Sequence, residues 1–376
     1  MAAADDPFDN PALRAADLGD LPLESGVTLP EVTMAFQTWG TLAPDGSNAV
    51  LVEHALTGDA HVVGPIGPGQ PTPGWWPGII GPGRPLDTRD LFVVAPNVLG
   101  GCRGTTGPAS PRADGRPWGG GFPQITIRDQ VAAERRLADL LGIRSWHLVL
   151  GGSMGGMRVI EWAATHPERT RTALVIASAA HATADQIAWG HAQCLAIESD
   201  PAYHGGDYLA RGVAPTAGLG LARRIAHQTY RSADELADRF GAEPQQGEDP
   251  LAGGRFAVQS YLDHQAAKLT ARFDAGSYLT LTRAMATHDV TRGRGSLAEA
   301  LAPFTGRLVV AGVDSDRLFP AALSREIVRA HPAGELRLIH SRCGHDGFLV
   351  ETDQIEAIVA DAACRPLADR RIARVG

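Results

Sequence analysis

The chain has 376 residues, 44% of them hydrophobic and 20% charged, and a formal net charge of -8. That length holds one large domain with an insertion, or two domains, and the acidic balance argues against a nucleic-acid partner, which needs a basic face. The four cysteines, Cys102, Cys194, Cys343 and Cys364, form no C-x-x-C pair, which suits reduced thiols in a cytoplasmic enzyme rather than a disulfide framework or a metal site. Met1-Ala-Ala-Ala-Asp-Asp-Pro7 has neither a basic start nor an apolar core, so no signal peptide is expected. No apolar run approaches the ~20 residues of a membrane span.

Apolar, β-branched runs with the length of buried strands occur at residues 49–55, 91–95, 147–150, 172–177, 307–312 and 336–340. The glycines, prolines and Trp75-Trp76 pair of residues 65–85 predict a long ordered loop. Residues 127–141 carry Val131, Leu137, Leu140 and Leu141 at helical spacing, with Gly142 as a stop. Further helices are expected at 154–166 (ended by Pro167), 322–330 (ended by Pro332) and 351–363. Continuous hydrophobic strands alternating with helices predict a mostly parallel sheet covered on both faces. In such sheets the chemistry sits at the carboxyl ends of the strands. The alternation stops between about 181 and 296, where the pattern is polar-helical with breaks at Gly205-Gly206, Pro215 and 241–254. This region reads as a helical lid inserted into the core, dividing the chain into core (1–180), lid (181–296) and core (297–376). No internal repeat is visible.

Gly151-Gly152-Ser153-Met154-Gly155 fits G-x-S-x-G. In a chain with 44 glycines the pentapeptide alone could be an ordinary turn, but a strand before it and a helix after it are the context a nucleophile elbow requires. A serine hydroxyl also needs a base within hydrogen-bond reach. His345, in Cys343-Gly344-His345-Asp346-Gly347, follows a predicted strand near the C-terminus and fits the chain order serine, acid, histidine of α/β-hydrolases. His166, His331 and His340 look structural by context. The orienting acid should follow the preceding strand, where Asp314 and Asp316 compete; Asp316 is preferred, but spacing barely separates them, and the pair could also be a turn cap or cation site. The oxyanion hole needs two backbone N–H groups, expected from Met154 and from Leu56 in the loop after the first predicted strand. His54 beside it reads as a brace for that loop rather than a ligand.

Six blocks carry a family resemblance. They are Leu51–His61 (L-V-E-H-A-L-T-G-D-A-H), Gly74-Trp75-Trp76, Asn97–Pro108 (N-V-L-G-G-C-R-G-T-T-G-P), Gly152–Met157, His204–Tyr208 and Gly344–Glu351 (G-H-D-G-F-L-V-E). Together they resemble homoserine O-acetyltransferases over about residues 27–360. The resemblance implies an α/β-hydrolase core with a helical lid, and a homodimer joined through that lid. It implies Ser153 as nucleophile with Asp316 and His345, which settles the aspartate choice. Arg223 matches the arginine that binds the amino-acid carboxylate, with Arg224 as the neighbouring alternative, and Asp346 matches the acid that holds the ammonium group. The implied reaction is ping-pong transfer of acetyl from acetyl-CoA, a co-substrate rather than a cofactor, to L-homoserine for methionine biosynthesis. Succinyl-specific members carry an arginine two residues after the catalytic aspartate. Here that position is Leu318, which favours acetyl, although Arg317 is adjacent. Glu53 and Arg158 depart from the usual residues. Serine O-acyltransferases share most of these blocks. A simple ester or thioester hydrolase is the other alternative; in it Arg223 and Asp346 would have no role.

Overall fold

The computed structural model describes residues 13–67 and 69–364. The stretch read for a signal peptide and the last residues of the predicted 297–376 unit lie outside the described residues. Eight strands, β1 (Arg14–Pro22), β2 (Thr28–Trp39), β3 (Ala49–Glu53), β4 (Phe92–Pro96), β5 (Leu148–Gly152), β6 (Thr172–Ile176), β7 (Arg307–Val313) and β8 (Gly334–Ile339), form one sheet in the order β1-β2-β4-β3-β5-β6-β7-β8. The strands from β4 to β8 in that order run parallel, while β1 and β2 are antiparallel to their neighbours. Every residue of β3, β4, β5 and β6 is buried, which is why they read as unbroken apolar runs.

The six expected strands are all present, with ends shifted by one or two residues. The strand expected over 49–55 stops at Glu53 because the next carbonyl, that of His54, is taken by the Arg158 side chain rather than by a neighbouring strand. β1 and β2 were not anticipated. β1 is the edge of the sheet and β2 lies next to it; both are partly exposed, and only the alternation Val32, Met34, Phe36 within β2 signals them.

Helices α1 (Ile127–Leu140) and α2 (Met154–Thr165) cover one face. Ala49 and Leu51 of β3 and Leu308 and Val310 of β7 point to that face, against Val131, Leu137 and Trp162. Val50, Val52, Val309 and Ala311 point to the other, against Ile355 and Val359. The period-two alternation of strand side chains thus divides each strand between two cores.

Between β6 and β7 lie α3 (Ala184–Glu198), α4 (Thr216–Tyr230), α5 (Ala233–Phe240), α6 (Ala257–Thr270), α7 (Ala275–Ala286) and α8 (Leu297–Leu301). Among the described residues no strand in this stretch joins the sheet. Its two ends meet at an antiparallel bridge between His181 and Asp289. A third apolar cluster seats these helices on the core: Cys194 and Ile197 of α3, Leu219 of α4 and Tyr278 of α7 pack with Leu56, Met154 and Met157. After β7 come α9 (Ala321–Ala330), α10 (Gly347–Val350) and α11 (Thr352–Ala363). No helix of the described residues is long and apolar enough to cross a membrane.

Candidate active site

Ser153 sits between β5 and α2 with φ 57° and ψ -123°, a region costly for a residue with a Cβ, on the order of 1–3 kcal/mol. Its own backbone holds it there: Ser153 N donates to Ile176 O at 2.9 Å, and Ser178 Oγ donates to Ser153 O at 2.8 Å. The turn also demands close approach. A Cβ on Gly155 would stand 2.1 Å from Glu53 O, and one on Gly152 would stand 2.4 Å from the Phe348 ring.

Behind Ser153 runs a continuous hydrogen-bond chain. Its Oγ lies 2.9 Å from His345 Nε2, and His345 Nδ1 lies 2.6 Å from Asp316 Oδ2. Asp316 is fixed from the other side, since its Oδ1 accepts the Leu318 and Phe319 N–H groups, each at 2.8 Å. The Asp314 carboxylate turns instead to exposed His340, 2.9 Å from its Nδ1. Geometry therefore separates the two aspartates that spacing could not. The loops after β7 and β8 are stitched by Ser315, whose hydroxyl donates to Ser341 O at 2.5 Å and accepts from Gly344 N at 3.0 Å. Phe319 stacks on the His345 ring at 5.1 Å and Phe348 meets it edge-on at 5.3 Å. Burial opposes the imidazolium, but the Asp316 carboxylate outweighs it by charge and hydrogen bond, helped by Asp346, and His345 is held above its ordinary pKa.

Leu56 lies in the loop that follows β3, and with Ser153 it lines one cavity. His54 braces that loop: Val98 N donates to its Nε2 at 3.0 Å, so Nδ1 carries the proton and donates to Ala55 O at 2.7 Å. Burial and the Arg158 charge push this imidazole down to about 3, so it stays neutral. The Asn97–Pro108 block supports the same region. Asn97 Oδ1 accepts from Ala60 N at 2.5 Å, and Thr105 Oγ1 joins Asn97 O to Ala35 N. The tryptophan pair stacks at 5.0 Å; Trp75 donates to Asp59 O and Trp76 to Phe348 O.

Arg223 and Asp346 flank the histidine end. The Arg223 guanidinium lies 5.3 Å from the Tyr230 ring centre, and that ring is 5.9 Å from His345. Arg224 points elsewhere, to Asp263 at 2.7 Å. Asp346 pairs with Arg231 at 3.2 Å. Burial pushes the Asp346 carboxyl up, against the pull of the Arg231 and His345 charges. Arg231 and Tyr230 escaped sequence reasoning, because nothing local marks residues at the end of a helix as neighbours of a distant histidine.

The cavity at Ser153 is walled by Leu56, Met157, Trp189, Tyr230, Met285 and Leu318, and among the described residues no charged side chain lines it. Arg317, beside Leu318, is exposed and not part of the wall.

A serine on a tight strand-to-helix turn at the carboxyl edge of a parallel sheet, backed by histidine and aspartate in hydrogen-bond sequence, defines an α/β hydrolase. A family model described as the alpha/beta hydrolase fold matches residues 48–352. Over 343 residues the chain is 62% identical to the homoserine O-acetyltransferase of Thermobifida fusca (strain YX), covering 91% of this chain and 90% of that one. It is 52% identical over 355 residues to that of Mycobacterium tuberculosis (strain ATCC 25177 / H37Ra), covering 94% and 93%. The crystal structure of homoserine O-acetyltransferase from Bacillus anthracis superposes with a TM-score of 0.87 at 25% identity, over 95% of this chain and 99% of that one. Esterase E22 shares the fold, with a TM-score of 0.85 at 24% identity over 94% and 99%. The chain belongs to the homoserine O-acetyltransferase family of α/β hydrolases.

Proposed function

We propose that this enzyme transfers the acetyl group of acetyl-CoA to the side-chain hydroxyl of L-homoserine in two steps through an acetylated Ser153. The observation that carries this reading is the Ser153–His345–Asp316 hydrogen-bond chain opening onto an uncharged cavity. Ser153 Oγ attacks the thioester carbon while His345 Nε2 takes its proton, and the oxyanion rests on the N–H groups of Leu56 and Met154. The tetrahedral adduct collapses, the carbon–sulfur bond breaks, and His345 returns the proton to the CoA thiolate. Homoserine then enters with its carboxylate at Arg223 and its ammonium at Asp346. His345 takes the hydroxyl proton, the alkoxide attacks the acetyl carbon, and Ser153 Oγ leaves with the proton returned by His345. Each oxyanion donor is worth ~10²–10³ in kcat. Acetyl-CoA is consumed as a co-substrate, and the reaction so written uses no cofactor.

Leu318 in the cavity wall and Arg317 outside it favour an acetyl over a succinyl donor. The helical segment 181–296 acts as a lid that keeps water from the acyl-enzyme. Ile187, Leu195 and Leu221 on α3 and α4 are 42%, 47% and 49% exposed, which supports a homodimer joined through this segment. The reaction serves methionine biosynthesis in the cytoplasm. The test is CoA release from acetyl-CoA or succinyl-CoA with homoserine or serine as acceptor. The reading requires release that depends on homoserine and prefers acetyl. Release that ignores the amino acid identifies a thioester hydrolase instead, and a preference for serine or succinyl-CoA overturns the specificity.

A further inference from the structure

Directly behind the loop that carries Leu56 lies a dry cluster of charges. The side chains of Glu53, Glu134 and Arg158 are 0%, 1% and 0% exposed. Arg158 Nη1 is 2.5 Å from Glu53 Oε2 and 2.7 Å from Glu134 Oε1. Trp162 Nε1 donates to the other Glu134 oxygen at 3.0 Å. Stripping water from such ions is expensive, and apolar residues of the same volume often serve stability as well or better. Stability alone is therefore a weak reason for this cluster.

What the cluster touches supplies a stronger one. Arg158 Nη2 donates to His54 O at 2.6 Å. The next carbonyl, Ala55 O, accepts from His54 Nδ1 at 2.7 Å and from Gly58 N at 2.9 Å. Thr57 O accepts from Arg272 Nη1 at 2.9 Å. A peptide unit is planar and trans, so pinning its carbonyl on one side directs its N–H to the other. The unit whose oxygen belongs to Ala55 carries the Leu56 N–H, and Arg158 fixes the unit immediately before it. Arg158 stands on α2, the helix that begins at Met154 and has Ser153 as its N-cap.

We propose that Arg158 is a positioning residue: its guanidinium ties the Leu56 loop to the nucleophile helix and so sets the spacing of the two oxyanion donors. This rests on the acyl-transfer reading above. Burial pushes the Glu53 carboxyl well up, with the Glu134 charge adding to it and the Arg158 charge opposing. One arm of the guanidinium, Nη1, serves the two carboxyl groups, and the other, Nη2, remains for His54 O.

The test uses the full chain and p-nitrophenyl acetate, whose acetyl group loads Ser153 without any amino acid. Acylation rate and KM are measured for Arg158→Gln, Arg158→Lys and Glu53→Gln, together with affinity for a boronic acid that adds to Ser153 as a tetrahedral mimic. Arg158→Gln is expected to lower the acylation rate about 10²-fold, the range of a lost oxyanion donor, and to weaken the mimic in proportion while KM moves less than about threefold. Arg158→Lys keeps the charge but cannot span both a carboxylate and His54 O, and should lose about tenfold. Glu53→Gln leaves the Arg158 bonds to Glu134 and His54 O in place and should stay within about threefold of the parent. A folded Arg158→Gln enzyme whose acylation rate and mimic affinity both stay within about threefold overturns the proposal, whatever its melting temperature. If Arg158→Gln does not fold, the same two measurements on Arg158→Lys decide. A parent enzyme that is acetylated by the ester but makes no acetylhomoserine defeats the functional reading and leaves this proposal standing on the ester data.

Discussion

Changing Asp316 to asparagine reverses one hydrogen bond and should silence the site without unfolding it. Asp316 Oδ1 accepts two backbone N–H groups, from Leu318 and Phe319, each at 2.8 Å. An asparagine must keep its carbonyl there, which puts its NH2 where Oδ2 stood, 2.6 Å from His345 Nδ1. A donor facing Nδ1 forces that nitrogen to be an acceptor and moves the ring proton to Nε2. Nε2, 2.9 Å from Ser153 Oγ, then offers a proton where it should take one. His345 and Asp316 are 3% and 5% exposed, so solvent cannot easily substitute for the lost carboxylate. A wrong tautomer of this kind costs ~10⁴ in kcat, or about 5.5 kcal/mol of barrier. The assay is CoA release at saturating substrates, alongside the acylation burst with p-nitrophenyl acetate, since in the proposed reaction the same base serves both steps. Asp314→Asn is the control. Its carboxylate pairs with exposed His340, a surface interaction worth about 1 kcal/mol or less, and activity should be unchanged. An Asp316→Asn enzyme within about tenfold of the parent would refute the tautomer argument.

His345 is held above its ordinary value of 6.5 because Asp316 overcomes the burial that opposes its charge. The base is lost as pH falls through that raised value, so kcat/KM should begin to fall on the acid side above pH 6.5; a profile flat from about pH 5 to 8 contradicts this. Gly155→Ala brings a Cβ to 2.1 Å from Glu53 O and 3.1 Å from His54 O, both backbone. It should destabilise by ~3 kcal/mol, the upper part of the overpacking range, read from urea unfolding midpoints; a loss under ~1 kcal/mol would mean that strand and helix can part freely. Arg223→Ala should raise KM for homoserine by about 10- to 100-fold, the worth of a charged hydrogen bond, with the ester burst unchanged. Asp346→Asn should act on the same constant, and a slower burst in either variant would move that residue from acceptor binding to the acylation step.

The central strands were legible because burial on both faces leaves only apolar, β-branched residues in them. The first two strands were harder to see. β1 mixes Arg14, Asp17 and Asp20 with its apolar residues, and β2 begins with an exposed Pro30-Glu31 pair in which Glu31 takes φ 49°. The elbow and His345 could be read from short motifs and their order along the chain. Spacing barely separated Asp314 from Asp316, since both follow the same strand, and the choice came from the family resemblance; in the structure two backbone N–H groups further along the loop make the difference. Partnerships across the fold left no local trace. Arg158 meets Glu134 from α1 and Glu53 from β3, and Arg231, within the helical segment, meets Asp346 in the loop after β8. In the sequence, Glu53 and Arg158 could be noticed only as unusual residues, not as partners.

The order in which the strands enter the sheet has a consequence for synthesis. Ser153 and the Arg158 cluster all precede β6 in the chain, but Asp316 and His345 follow β7 and β8, the last two strands, at one edge of the sheet. A nascent chain therefore exposes its serine for the whole length of the helical segment without a base to activate it. His345 and its aspartate arrive only when the edge of the sheet closes, by which time the helical segment has already been made.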